Sequence, residues 1–120
     1  MIWKLEAESE TPIYLQLRNQ VVLSIASGEL KPGDKLPTVR ALSEESGINM
    51  MTVSKAYQLL KAQGYVRSER RNGTVVACQN AQPEEAGLET LRLALAELKT
   101  RGLSDEEILG LCRDCLKEGK

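Results

Sequence analysis

The sequence has 120 residues, of which 42% are hydrophobic and 28% are charged, a composition typical of globular proteins. No apolar run approaches the roughly 20 residues that span a bilayer, and the acidic, lysine-containing start does not resemble a signal peptide. We therefore expect a cytoplasmic protein that does not contact membranes. The chain has three cysteines and no histidine. Without histidine it lacks the commonest general base and the commonest metal ligand. We predict neither an enzyme nor a protein with a metal or cofactor.

The net charge of −1 conceals an uneven distribution. Residues 30–80 hold eight basic and four acidic side chains, a net charge of +4, whereas residues 81–120 have a net charge of −3. A basic segment in a slightly acidic chain favours a local nucleic-acid surface.

The first helix is predicted to begin at Thr11-Pro12, with Thr11 as the N-cap and Pro12 as the first helical residue. Apolar residues recur at helical spacing as far as Ile25, and Gly28 is the predicted end. Residues 30–37 contain two prolines and a Pro-Gly pair, which predicts a loop.

Two further helices follow, separated by a short turn. Thr38 is the predicted N-cap of a helix over residues 39–45, which Gly47 ends. The next helix follows Asn49 and ends at Gly64. Its predicted buried face comprises Val53, Ala56, Tyr57 and Leu60. A helix, a short turn with glycine and a second helix are typical of a helix-turn-helix.

After Gly64 the pattern changes to short segments rich in β-forming residues, 65–69 and 74–78. Asn72-Gly73 lies between them and predicts a hairpin. A hairpin directly after the third helix is a wing, so we predict an α+β, mainly α, winged helix-turn-helix domain over residues 1–80.

Residues 81–120 are predicted to form a two-helix tail after a hinge at residues 80–83. The first tail helix, over residues 84–100, has leucines at the spacing of a helix–helix seam. Ser104 and Glu107 form a capping box before the second helix. The seam predicts dimerisation, with packing against the chain's own winged helix as the alternative. The predicted dimerisation residues are Leu88, Leu91, Leu95, Leu98, Ile108, Leu111, Cys112 and Cys115.

The second helix of a helix-turn-helix lies in the major groove of DNA, and a wing reaches the minor groove or the backbone. The predicted DNA-binding residues are Arg40, Asn49, Met50, Met51, Thr52, Ser54, Lys55, Arg70, Arg71, Asn72 and Gly73.

These residues offer different chemistry to a duplex. Hydroxyl groups at Thr52 and Ser54 can donate to phosphates or base edges, and Lys55 can neutralise a phosphate. Arg40 can do the same or read guanine, while the two methionines offer apolar contact to a thymine methyl group. Asn49 is better explained as an N-cap than as a base reader.

Two alternatives stay open beside DNA binding. Cys112-x-x-Cys115 permits a thiol-responsive regulator, although with only Cys78 besides there are too few ligands for zinc, and buried reduced thiols are favoured. A winged helix can also serve as a protein-interaction module. For Arg70 and Arg71, protection of an edge strand against aggregation is the alternative to DNA contact.

One run of about 65 residues closely resembles the winged-helix head of the GntR family of bacterial transcription regulators. Its specific string is Gly-x-Leu-x-Pro-Gly-x-x-Leu-Pro, from Gly28 to Pro37, followed by Thr38-Val39-Arg40. The match continues through Gly47-Ile48-Asn49, Thr52-Val53-Ser54-Lys55-Ala56-Tyr57 and Gly64-Tyr65-Val66.

The resemblance implies a dimeric regulator that binds a palindromic operator, usually as a repressor, and the short tail resembles the YtrA-like subgroup. It also implies that Arg40 contacts DNA, that Thr52 contacts a phosphate or base and that Gly73 enters the minor groove. Met50-Met51 stands where family members usually have polar residues or proline, so the operator sequence is left open, as is any effector.

Overall fold

The computed structural model describes residues 5–77 and 85–118, which form five helices and one hairpin. Their order is α1 (Ile13–Ser27), α2 (Val39–Ser46), α3 (Met50–Ala62), β1 (Val66–Glu69), β2 (Gly73–Val76), α4 (Glu85–Thr100) and α5 (Asp105–Glu118). The predicted fold class, a mainly helical winged helix-turn-helix with a helical tail, is confirmed. Across the described ranges, no helix combines the length and apolarity needed to cross a membrane.

The chain divides into two compact units, Met1–Gln79 and Asn80–Lys120. We call their described parts the head (residues 5–77) and the tail (residues 85–118). The predicted hinge at residues 80–83 and the predicted domain boundary after residue 80 lie outside the described residues, and the boundary stays a prediction.

The head is built around one core to which every head helix contributes. Leu17 and Val21 of α1, Leu42 of α2 and Leu60 of α3 are completely buried there. All four residues of the predicted α3 face are buried as well. Burying a leucine side chain stabilises a fold by about 1.5–3 kcal/mol, so this core holds α3 firmly while its opposite side stays exposed.

The start of α1 differs from the prediction by one residue. The helix begins at Ile13, Pro12 is the capping residue, and no side chain caps this end. The carbonyl oxygen of Pro12 accepts hydrogen bonds from the backbone N–H groups of Leu15 and Gln16, both at 3.0 Å. The predicted Thr11 cap is therefore wrong, because the intrahelical hydrogen bonds begin at the proline carbonyl itself.

The turn between α2 and α3 comprises residues 47–49 and is held by hydrogen bonds at both ends. Gly47 adopts a left-handed conformation, with φ of 77°, that ends α2 as predicted. The hydroxyl group of Ser43 donates to the carbonyl oxygen of Ile48, and the hydroxyl oxygen of Ser46 accepts from its N–H group at 3.2 Å. These bonds fix the angle at which α3 leaves the turn.

The wing is an antiparallel pair, β1 with β2, whose end pair is Glu69 and Gly73. The predicted hairpin around Asn72-Gly73 is confirmed. Residues 70–72 make its three-residue connection, and Gly73 adopts a positive φ of 69°.

The segment predicted as a plain loop before α2 pairs with the wing. Lys35 forms an antiparallel bridge with Val75. The N–H group of Gly33 donates to the carbonyl oxygen of Val76 at 2.9 Å, and the N–H group of Leu36 donates to that of Thr74 at 2.8 Å. The prolines on either side concealed this extended pairing, which ties the wing to the entrance of α2.

The tail consists of α4 and α5 joined by a turn at Gly102, where φ is 92°. The predicted capping box is confirmed, since Glu107 N–H donates to Ser104 Oγ at 3.2 Å and Ser104 N–H donates to Glu107 Oε1 at 3.0 Å. Ile108 is the one buried hydrophobic residue among the described tail residues. The prediction that both cysteines of α5 are buried is wrong for the single chain, because Cys112 is half-buried and Cys115 is exposed.

Candidate nucleic-acid interface

The exposed side of α3 presents one stripe of side chains to solvent. Successive residues lie about 100° apart around a helix axis, so Met51, Ser54, Lys55 and Gln58 fall on the side opposite the buried face. Met51, Lys55 and Gln58 are exposed and Ser54 is half-buried. This stripe contains three of the side chains predicted to contact DNA, and it brings them together on one surface.

The N-terminal end of α3 is capped by the side chain of Asn49. Its Oδ1 atom accepts a hydrogen bond from the backbone N–H group of Met51 at 2.7 Å. The capping interpretation of Asn49 is therefore confirmed, and this acceptor is already engaged. Thr52, in the first turn of the same helix, is half-buried.

Arg40 occupies the first turn of α2 and is exposed. The preceding Thr38 caps the helix by accepting from Ala41 N–H at 3.0 Å, as predicted. A cation near a helix N-terminus opposes the helix dipole at a cost of about 0.3–1 kcal/mol. Arg40 therefore does not stabilise α2 through the helix dipole.

A buried tyrosine connects the segment before α2 to α3, the second helix of the helix-turn-helix, which we call the recognition helix. The hydroxyl group of Tyr57 donates to the carbonyl oxygen of Pro37 at 2.7 Å. Burial, followed by the nearby negative charge of Glu45, raises the pKa of Tyr57, so the hydroxyl keeps its proton and remains a donor. This bond holds the segment before Arg40 against α3.

The ammonium group of Lys55 lies over the ring of Tyr14 in α1, with Nζ 4.1 Å from the ring centroid. This distance is within the range of a cation–π interaction. A lysine ammonium has three hydrogen-bond donors, so its contact with one ring leaves donors for another partner. Tyr14 thereby restricts the position of a charge on the exposed side of α3.

The wing has one arginine that is paired with a glutamate and two exposed arginines at its tip. Arg67 donates to Glu69 Oε2 from Nε and Nη2 at 3.0 and 2.7 Å, and Asn72 Nδ2 donates to Glu69 Oε1 at 2.8 Å. The hydrogen bonds from Asn72 and then from Arg67 hold the pKa of Glu69 below its usual value. Arg70 and Arg71 are exposed at the tip.

Sequence reasoning missed three residues of this surface. Gln58 lies beyond the first turn of α3, and the predicted contacts were confined to the beginning of this helix. Its spacing of seven residues from Met51 and four from Ser54 places it on the same side of α3. Tyr14 and Glu69 act through contacts with Lys55 and Asn72. No sequence spacing indicates the contact between Tyr14 and Lys55, because it joins two different helices.

The tail surface has a different character. Helix α4 has no buried residue. Of the predicted dimerisation residues, Leu88, Leu95, Leu98 and Cys112 are half-buried, Leu91, Leu111 and Cys115 are exposed and Ile108 is buried. An open groove of about 290 Å³ between the two helices is lined partly by Leu95, Ile108 and Cys112. Among the residues that the structure describes, no group of three or more His, Cys, Asp or Glu side chains could hold a metal ion.

The family model described as "Bacterial regulatory proteins, gntR family" matches residues 13–76, from the start of α1 to the end of β2. The chain belongs to the GntR family. It is 33% identical over 107 residues to the uncharacterized HTH-type transcriptional regulator YhcF of Bacillus subtilis, covering 85% of this chain and 88% of YhcF. It is 40% identical over 79 residues to the HTH-type transcriptional repressor YtrA of the same organism, covering 66% of this chain and 60% of YtrA.

Solved structures extend the likeness to the tail. The match to a transcriptional antiterminator from Listeria monocytogenes has a TM-score of 0.85 and 28% identity. It covers 99% of this chain and 92% of the antiterminator chain. The chain also matches YtrA from Sulfolobus acidocaldarius, a GntR-family transcription factor, with a TM-score of 0.61 and 37% identity. This match covers 96% of this chain and 97% of the Sulfolobus protein. Together with the YtrA repressor, this likeness places the chain in the YtrA-like subgroup.

The head is also similar to a protein that was solved on DNA. The AraR DNA-binding domain in complex with operator ORR3 covers 64% of this chain and 93% of its own, with a TM-score of 0.53 and 31% identity. The chain is accordingly a transcription regulator of a family that binds DNA operators.

Proposed function

We propose that this protein represses transcription by binding a palindromic operator as a homodimer. The observation that carries the proposal is the joint exposure of Arg40, Lys55, Arg70 and Arg71 on a helix-turn-helix and its wing. The relative YtrA is described as a repressor, which supports repression rather than activation. We also propose that the protein acts in the cytoplasm, without catalysis and without contact with a membrane.

In the head, α3 would enter the major groove and the wing would follow the adjacent backbone or minor groove. Arg40 and Lys55 would bind phosphates, and Thr52 and Ser54 would donate to phosphates or base edges. The proposed contacts are Arg40, Asn49, Met50, Met51, Thr52, Ser54, Lys55, Arg70, Arg71, Asn72 and Gly73.

Asn49 remains in the proposed set for a limited reason. Its Oδ1 atom caps α3 and uses one of its two acceptor positions there, so its amide N–H groups are the main groups offered to DNA. Asn72 is similar, because its Nδ2 atom already donates to Glu69. Both residues are therefore proposed to support the shape of the interface more than to read bases.

In the tail, the leucine seam of α4 and the apolar residues of α5 would form an isologous dimer interface. No residue of α4 is fully buried in the part of the chain that the structure describes, and Leu91 is 51% exposed. Helices that bury so little alone gain most of their stability from a partner. A two-fold dimer presents two heads to half-sites about one DNA turn apart or a multiple of it, which explains why a palindrome is expected.

Selection of bound duplexes from a random pool tests the proposal directly. We expect an inverted repeat, and its affinity should fall steeply with added salt because phosphate binding releases counterions. Recovery of single, unrepeated sites would contradict the palindrome. Affinity that does not depend on salt would favour the protein-interaction alternative.

The dimer is tested with Leu95→Glu, which places a charge in the seam. We expect sedimentation to show a monomer and operator affinity to fall by about 10²-fold or more, because the second half-site no longer adds its contacts. Leu93→Glu is the matched control, since Leu93 is 62% exposed and lies about 140° around α4 from Leu88. A wild-type chain that sediments as a monomer at micromolar concentration would refute the dimer.

A thiol-responsive regulator is the second candidate, and the exposure of Cys115 favours it. Alkylation of the wild-type protein would then abolish operator binding, whereas Cys112→Ser/Cys115→Ser protein would be unaffected by the same treatment. If alkylated wild-type protein binds normally, the thiols have no regulatory role.

A further inference from the structure

Met51 occupies the most outward position on the recognition helix. It is 81% exposed, whereas Met50 is 46% exposed. Measured around the helix axis from Met51, the four buried residues of α3 lie at about 140° to 240°. Met51 therefore points directly away from the core, into the space that a DNA groove would fill.

The surroundings of Met51 do not suit a protein partner. Ser54, Lys55 and Gln58, which share its side of α3, are polar or charged. Protein interfaces are large patches, with about 800 Å² buried on each partner and an apolar centre. One long apolar side chain in a polar and cationic stripe fits a ligand that combines negative charge with small apolar groups. Duplex DNA has this combination, because thymine carries a methyl group in the major groove.

The polar residue that precedes the two methionines caps α3. The Asn49 side-chain oxygen accepts the Met51 N–H at 2.7 Å, so one of its two acceptor positions is used within the helix. Met51, which is 81% exposed, offers an apolar side chain at this end of α3. A methionine is flexible and polarisable enough to pack closely on a methyl group.

We infer that Met51 is a specificity-determining residue that reads the 5-methyl group of a thymine in each operator half-site. The inference rests on the proposed binding of an operator by the head. Met50 lies about 100° around the helix from Met51 and is less exposed, so it is not the reader. Every functional half-site should then carry a thymine at one fixed position.

The test replaces thymine by deoxyuridine, one position at a time, in the duplex that selection from a random pool returns. This exchange removes the methyl group and leaves the base pairing unchanged. With wild-type protein, one thymine per half-site should respond with about fourfold weaker binding, the effect of exposing one buried methyl-sized group. Equal affinity for the thymine and deoxyuridine duplexes at every position overturns the inference.

Variants assign the effect to a side chain. Met51→Ala should bind the thymine and deoxyuridine duplexes equally, while Met50→Ala and the remote surface variant Leu23→Ala should keep the fourfold difference. Because Met51 is exposed, Met51→Ala should keep the thermal midpoint and the salt dependence of the wild type. A difference that persists in Met51→Ala, or one that disappears in Met50→Ala, refutes the assignment to Met51. Failure of the wild type to enrich any duplex would refute operator binding itself.

Discussion

The helices of the head and those of the tail begin with opposite electrostatics. Neither α2 nor α3 has an acidic residue in its first turn, and α2 has Arg40 there. Helix α4 begins with Glu85, and α5 begins with Asp105, Glu106 and Glu107. Acids in the first turn stabilise a helix by interacting with its dipole, whereas an unneutralised N-terminus attracts anions. The tail helices thus gain this stabilisation, whereas the N-termini of α2 and α3 have no acidic side chain in the first turn that would compete with a bound anion.

Burial divides the two regions in the same way. The head encloses a core of completely buried side chains, while the described tail has one buried hydrophobic residue, Ile108. The head can therefore keep polar and cationic side chains on an exposed helix, because its core supplies the stability. The tail exposes its apolar side chains, which fits a region that is completed by association.

The largest expected effect tests this difference in burial. Leu60→Ala removes a fully buried side chain from the head and should lower the free energy of unfolding by about 2–5 kcal/mol. Leu93→Ala in α4 should change it by less than about 0.5 kcal/mol, because this leucine is 62% exposed. Urea unfolding followed by circular dichroism measures both. Comparable losses would mean that the tail is as well packed at Leu93 as the head is at Leu60.

The next effect concerns charge on the two regions. Arg40→Ala should weaken operator binding by about 1–3 kcal/mol and leave the fold intact, because this side chain is exposed at the start of α2. Arg113→Ala is the matched variant, since Arg113 is exposed in the tail and should have no effect on affinity. Fluorescence anisotropy with a labelled operator measures the change. Unchanged affinity of Arg40→Ala would remove Arg40 from the interface.

Loss of a helix cap should be felt differently in the two regions. Thr38→Ala and Ser104→Ala each remove a side-chain cap, at a cost of about 1 kcal/mol. In the tail the loss should appear as local fraying of α5, whereas in the head it should lower the stability of the whole unit. Amide hydrogen exchange distinguishes local from global opening.

The cap formed by Ser104 and Glu107 also predicts an effect of pH on stability. The backbone and side-chain hydrogen bonds of Ser104 hold the pKa of Glu107 below its usual value. A carboxyl group with a lower pKa in the folded chain contributes stability above its unfolded pKa, and this contribution disappears as pH falls through the folded pKa. A carbon-detected titration should show Glu107 returning towards its ordinary pKa in Ser104→Ala. An identical titration curve in both proteins would mean that the Ser104 hydroxyl group does not contribute to the lower pKa, which then rests on the backbone N–H group.

The smallest effect concerns Tyr14 beneath Lys55. Tyr14→Leu should weaken operator binding by about 0.5–1 kcal/mol, because the ammonium group loses its ring. Tyr14→Phe keeps the ring and should bind like the wild type. In a Lys55→Met background, Tyr14→Leu should have no further effect on affinity. A loss of the same size in that background would show that Tyr14 acts through the core instead.

Local pattern was sufficient for much of this protein. Helical spacing identified the buried face of α3, the Ser104 capping box was read from two residues, and the string from Gly28 to Arg40 identified the family. These features depend on neighbours within a few residues, or on a motif, so they are present in the sequence itself. The same reasoning placed Arg40 and Lys55 on the exposed side of the head.

The tertiary structure decided what depends on distant partners. Pairing of Lys35 with Val75 turned a proline-rich loop into part of the wing, and Tyr14 met Lys55 across two helices. The Asn72-Gly73 pair predicted the hairpin, and the strand register then decided that residues 70–72 form its three-residue connection. Local propensity contributes about 1 kcal/mol or less at each position, whereas a shared core and a sheet register combine many contacts. The sequence thus determined which surface is proposed to bind DNA, and the fold decided which of its side chains are engaged within the chain.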